Sequence, residues 1–319
     1  MTGCVWLTDT SELVRILKDK GVSRVALQFP EGLKRQSAGI ARSLKDAGFF
    51  VVISGDPCYG ACDLATGLLD QVDVLVHFGH SPLDNNPRVL YEPFRRDFDL
   101  DALELAIPYI TGKETGIVTT VQHTHLVPAV EEFFSGRNIV CRAYQGTGRT
   151  PLRGQILGCS YSSARMCPGD PILFIGTGSF HPLGVALATG KKVIALDPYR
   201  RTIEIISTDR FLRRRFALIE KARHAKNFGI IVSRKSGQRR QALAERLAGL
   251  RREAIIIAME EVTPDELLNL GFSAYVNTAC PRLAYDDQSR FPVPVLTPVE
   301  FEILCGILKF EDYTIDEIM

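Results

Sequence analysis

Three cysteines, Cys62, Cys159 and Cys280, fall where metal ligands could sit, one in each third of the chain, each in a loop beside Gly, Ser or Pro. Three thiolates with an open fourth position suit an iron–sulfur cluster that also binds a substrate; zinc is the alternative ion for the same donors. A cysteine taken singly is more often a small core hydrophobe, so spacing alone leaves all three readings open. Cys58 and Cys62 form a CxxxC pair, but Ala65 stands where a CxxxCxxC radical-enzyme signature needs a third cysteine. Cys141 and Cys305 lie in apolar contexts and read as core, while Cys4 and Cys167 read as structural.

Two turns could hold an anion. Gly176–Pro182 (GTGSFHP) is a small-residue turn opening a helix, and its backbone N–H groups could meet a carboxylate or phosphate; it could equally be a tight strand–helix turn. Ser233–Gln238 is a Gly-containing turn that carries Arg234 and Lys235. His77, His80, His123, His125 and His181 cluster in predicted loops, where a histidine is usually a hydrogen-bonded structural residue. The chain contains no HExxH, GxSxG or GKS/T motif, which removes support for zinc-protease, α/β-hydrolase and Walker ATPase chemistry.

These residues must be positioned by a scaffold, and the hydrophobic pattern describes one. Short apolar strands at 24–29, 49–54, 72–78, 116–121, 138–144, 171–176, 192–196, 228–233, 254–258, 273–277 and 293–296 alternate with amphipathic helices. Such alternation predicts an α/β fold with parallel sheets covered on both faces, and the special residues fall at the carboxyl ends of strands, where such sheets collect ligands. One sheet would need more than ten strands, so the reading divides the chain where composition shifts. It predicts three similar Rossmann-like domains over 1–97, 98–207 and 208–319, an apparent triplication, carrying Cys62, Cys159 and Cys280 respectively.

Composition sets the outer limits. The 319 residues are 45% hydrophobic and 24% charged, ordinary for a globular protein. A net charge of +1 argues against a general nucleic-acid binder. No apolar run reaches membrane-spanning length and the start has no secretory pattern, so a cytoplasmic protein is expected. Charge is uneven: residues 200–252 hold 16 Lys/Arg against 4 Asp/Glu, a local +12 that leaves −11 elsewhere. Within it, 209–226 reads as a helix with Leu212, Phe216 and Ile219 inward and its arginines outward, a solvated face or a dock for an acidic partner.

Six motifs in order, GDPCYGACDLA, HFGHS, RGQILGCS, GTGSFHPLG, ALDPY and VNTACPRLAYDD, together resemble the diphthamide synthase family, in its archaeal-type catalytic form, over nearly the whole chain. The resemblance implies three α/β domains around a central 4Fe-4S cluster held by Cys62 (YGAC), Cys159 (ILGC) and Cys280 (ACPRL), with Cys58 not a ligand. It implies transfer of the 3-amino-3-carboxypropyl group of S-adenosylmethionine to imidazole C2 of a histidine in translation elongation factor 2. It also implies a homodimer served by an electron donor. Loop position makes Gly178, Ser179, His181, Ser233, Gln238 and Arg282 the candidate S-adenosylmethionine contacts, with Arg282 facing the carboxylate. Two other readings stay open: a three-cysteine iron–sulfur enzyme of small metabolites resembling quinolinate synthase, and a non-catalytic iron–sulfur subunit.

Overall fold

The computed structural model describes residues 10–83, 85–92 and 94–318; Cys4 lies outside them. Two compact units form, one of Met1–Asp97 with Val121–His125, the other of Phe98–Thr120 with Leu126–Met319. The architecture is mixed α/β, with three sheets that are wholly or mainly parallel.

The first unit carries α1 (Thr10–Asp19), β1 (Arg24–Gln28), α2 (Ser37–Asp46), β2 (Phe50–Ile53), β3 (Val74–Phe78) and β4 (Val89–Glu92). The strands are all parallel, in the order β2-β1-β3-β4. Central β3 (VLVHF) is buried along its whole length, as expected of a strand covered on both faces. Helix α2 turns Ile40, Ala41 and Leu44 into a core shared with Leu27, Val76 and Phe78.

The second unit holds two sheets. One is built from β5 (Thr115–Thr119), α3 (Val127–Ser135), β6 (Cys141–Ala143), α4 (Ser162–Arg165), β7 (Ile172–Ile175), α5 (Phe180–Thr189), β8 (Val193–Asp197) and β9 (Thr202–Ile205). Its order is β6-β5-β7-β8-β9, and only the β8–β9 pair is antiparallel. The other is built from α6 (Asp209–Ala222), β10 (Phe228–Ser233), α7 (Gln241–Ala248), β11 (Ala254–Met259), α8 (Pro264–Leu270), β12 (Ala274–Asn277), α9 (Arg282–Tyr285), β13 (Val295–Leu296) and α10 (Pro298–Leu304). It is all parallel, in the order β11-β10-β12-β13. In each sheet the first strand lies between the second and third, with the fourth beyond, an order whose switch point lies between the first and third strands.

Helix α6 corrects one expectation. Its arginines do not all face outward: Arg215 is buried and donates to both carboxylate oxygens of Glu300, at 2.7 and 2.5 Å. The rest of its guanidinium reaches the carbonyls of Ala284 and Val295. Glu300 also closes the capping box of α10 with Thr297, so one buried carboxylate starts a helix and holds a charge. Leu212 is only half-buried, while Phe211, Ile219 and Ala222 join Arg215 on the inner face.

Candidate functional site

Cys62 lies in the β2–β3 connection, inside a tight turn in which the Asp63 N–H donates to the Gly60 carbonyl. Cys159 sits in the β6–β7 connection at the tip of a two-residue turn, where Leu157 and Ser160 exchange backbone hydrogen bonds at 2.9 and 3.2 Å. A side chain on Gly158 would place Cβ 2.5 Å from the Phe180 ring, so glycine lets that ring pack directly on the turn. Cys280 follows β12 directly. Its loop is pinned by Thr278, whose N–H and Oγ1 both donate to the Ile231 carbonyl, and by Asn277, whose Nδ2 donates to the Cys280 carbonyl at 2.8 Å. The first two cysteines thus lie between the second and third strands of their sheets, but Cys280 lies between the third and fourth.

Within the second unit, one C-terminal segment ties two of these loops together. Ile318 N–H donates to the Cys159 carbonyl at 2.8 Å. Asp316 forms a bidentate pair with Arg240, both contacts at 2.7 Å, and Arg240 also donates to the carbonyls of Thr278 and Ala279 beside Cys280. Arg165 reaches Glu317, and the Tyr285 hydroxyl accepts from Asp316 N–H. No motif in the sequence marked Arg240 or Asp316; the role comes from a contact across 76 residues.

The donors separate by burial. Cys58, Cys141 and Cys167 are buried, and desolvation pushes their thiols up to about 12, about 12 and about 11. Without a bound metal they are protonated, and Cys141 and Cys167 sit in the apolar core. Cys62, Cys159 and Cys280 are half-buried on loops. This donor set fits thiolate ligation of an iron–sulfur cluster. Cys305 is also half-buried, but it caps α10 and packs on the apolar core.

The other predicted contacts fall in three places. Gly178 and Ser179 line a cavity of about 270 Å³ at the carboxyl ends of β7 and β8, together with Asp197 and Glu204. Ser179 caps α5 without a side-chain bond of its own to the helix. His181, in the first turn of α5, is half-buried; its ring stacks on Phe174 and meets Phe180 edge-on. Burial, with Arg282 adding to it, lowers His181 to about 4, so it is neutral at physiological pH. Arg282 is exposed. It pairs with Asp286 at 2.9 Å on its own short helix, and its guanidinium lies 5.0 Å over the Phe180 ring. Phe180 therefore bridges the Cys159 turn and the Cys280 loop, a role its sequence position did not mark. Ser233 and Gln238 are buried at the end of β10, where Ser233 Oγ accepts from Lys235 N–H. Of the loop histidines, His123 is bonded to the Arg96 carbonyl and His125 to Asp97, as structural histidines are.

The comparisons with known proteins point to one family. The family model for diphthamide synthesis proteins matches residues 29–314. A Pyrococcus horikoshii protein named 2-(3-amino-3-carboxypropyl)histidine synthase is 42% identical, with 97% of this chain and 93% of that protein covered. A Methanocaldococcus jannaschii protein of the same name is 28% identical over 97% of this chain and 92% of its own. The crystal structure of Dph2 from Pyrococcus horikoshii with a 4Fe-4S cluster superposes with a TM-score of 0.94 at 39% identity, covering 99% of this chain and 95% of that one. The chain belongs to the diphthamide synthase family, in its archaeal-type form, and is a transferase.

Proposed function

We propose that this chain transfers the 3-amino-3-carboxypropyl group of S-adenosylmethionine to imidazole C2 of a histidine in translation elongation factor 2, the first step of diphthamide synthesis. In this reading Cys62, Cys159 and Cys280 hold one 4Fe-4S cluster, one cysteine from each of three domains of triplicated origin, 1–97, 98–207 and 208–319. The enzyme works in the cytoplasm as a homodimer supplied by an electron donor. The observation that carries the reading is the C-terminal strap, which holds the Cys159 and Cys280 loops from one segment.

When bound, a reduced cluster supplies one electron to the cofactor's sulfonium. The protein's own task is orientation. The bond to be cut joins sulfur to the methionine γ-carbon, so that carbon must be presented for reaction while the other two sulfur substituents are turned away. Gly178, Ser179 and the start of α5 offer backbone donors and a positive helix end to the carboxylate. Arg282 offers a second cation once it is drawn from Asp286. Neutral His181 contributes a hydrogen-bonding ring without adding charge beside Arg282. Ser233 and Gln238 supply polar groups from the end of β10.

The test is iron and sulfide counting on anaerobically reconstituted protein. The expected result is close to four of each per chain. Replacing Cys62, Cys159 or Cys280 by Ala removes the cluster or its activity, while Arg282→Ala keeps the cluster and loses cofactor affinity. Zinc bound without iron contradicts the reading.

A further inference from the structure

Cys58 is not used by this chemistry, yet it is not an ordinary core thiol. Its Sγ, a ring nitrogen of His77 and a ring nitrogen of His80 all lie within 4.8 Å of one another. His77 Nε2 and His80 Nδ1 are 2.9 Å apart. Cys58 and His77 are buried, and His80 keeps some exposed surface.

The surroundings fix the histidine tautomer. Buried Gln28 has its amide oriented from both sides: its Nε2 donates to the Asp63 carbonyl at 2.7 Å, and its Oε1 accepts from Ala65 N–H at 3.1 Å. That Oε1 also meets His77 Nδ1 at 2.9 Å, so Nδ1 carries the proton and the Nε2 lone pair meets His80 Nδ1. A histidine whose other nitrogen is held by an outer hydrogen bond is the usual form of a metal ligand. His80 is brought back onto His77 by Gly79, which has φ +87° and where a Cβ would lie 3.1 Å from the Pro30 ring.

We propose that Cys58, His77 and His80 form a second metal site, a mononuclear Zn²⁺ site separate from the three cluster cysteines. Tetrahedral zinc places two imidazole nitrogens about 3.3 Å apart and a thiolate sulfur about 3.6 Å from each, so the two nitrogens need to part by only tenths of an ångström and the Cys58 sulfur to close in by at most about 1.2 Å. Binding converts the Cys58 thiol to a thiolate and releases one proton. His80 shifts its proton from Nδ1 to Nε2, and a water takes the fourth position on the side where His80 is exposed. The consequence is local. The ion would clamp the 55–65 loop, which carries Cys62, to the end of β3.

The test uses the full chain in two forms: anaerobic protein with its iron and sulfide in place, and a Cys62→Ser/Cys159→Ser/Cys280→Ser variant that cannot hold a cluster. Each is incubated with Zn²⁺, desalted and assayed for metal, and the zinc absorption edge is measured. The expected result is one zinc per chain in both forms, with a shell of one sulfur and two imidazole nitrogens and no loss of iron from the first. Cys58→Ser or His80→Asn abolishes retention, and Gln28→Ala weakens zinc affinity about 10–100-fold. No retained zinc, or retention unchanged in Cys58→Ser, overturns the site. Because iron and sulfide are counted in the same samples, that failure stays distinct from a failure of the cluster assignment.

Discussion

His181 shows how one residue's environment sets its charge. Its ring is enclosed by Phe174 and Phe180 and lies near Arg282, so the folded protein keeps it neutral down to about 4. In the unfolded chain it takes up a proton near its ordinary value of about 6.5. Between those values the unfolded state binds one more proton than the folded state. Stability from this residue is therefore fully present above about pH 6.5 and falls by about 1.4 kcal/mol per pH unit as pH drops toward 4. His181→Gln should remove that part of the slope, measured by denaturant unfolding from pH 4.5 to 7; an unchanged slope would show that the ring is already solvated. At this scale the sequence was legible in where residues lie: Cys62, Cys159 and Cys280 were expected on loops and are half-buried there. It was silent on partners made by folding. Arg282 was expected to face a ligand carboxylate, yet Asp286 lies four residues on and takes it first, a spacing readable on any helix.

Among the elements, the C-terminal strap carries the account. Arg240 links Asp316 to the Thr278 and Ala279 carbonyls, so its loss frees the Cys280 loop and leaves a buried carboxylate unpaired. Arg240→Ala should leave the fold in place but make the cluster labile, with iron released to a chelator about tenfold faster, as expected for a loosened outer shell of ligand support. Iron loss at the unaltered rate would show that the strap is not a support. The central strands β3, β5, β7, β10 and β12 were legible as mostly apolar runs, since both of their faces are covered. Edge strands β4 and β9 were not, because Val89–Glu92 and Thr202–Ile205 are short and partly exposed and so lack that run. The amphipathic segment between β1 and β2 begins as a 3₁₀ turn, Glu31–Gln36, before α2. The connection between β2 and β3 forms only a 3₁₀ turn, at Thr66–Asp70, in place of an α-helix.

For the whole molecule, the +12 of residues 200–252 is partly neutralised by ion pairs, two of them largely buried. Arg215 pairs with Glu300, Lys235 with Glu261, Arg240 with Asp316 and Arg246 with Glu302. Arg210, Arg213 and Arg214 remain exposed on α6. If that face steers elongation factor 2, modification should slow about tenfold from low salt to about 0.5 M, since exposed charges are screened within roughly 10 Å at 0.1 M. A rate flat across that range would leave the face merely solvated. Among the described residues no helix is long and apolar enough to cross a membrane. The most direct test of the central claim is which sulfonium bond is cut. Anaerobic protein is reduced with dithionite in the presence of S-adenosylmethionine, and the nucleoside products are separated. Positioning worth a few kcal/mol selects one of three similar C–S bonds. The account predicts methylthioadenosine as the main product; 5′-deoxyadenosine as the main product would contradict it.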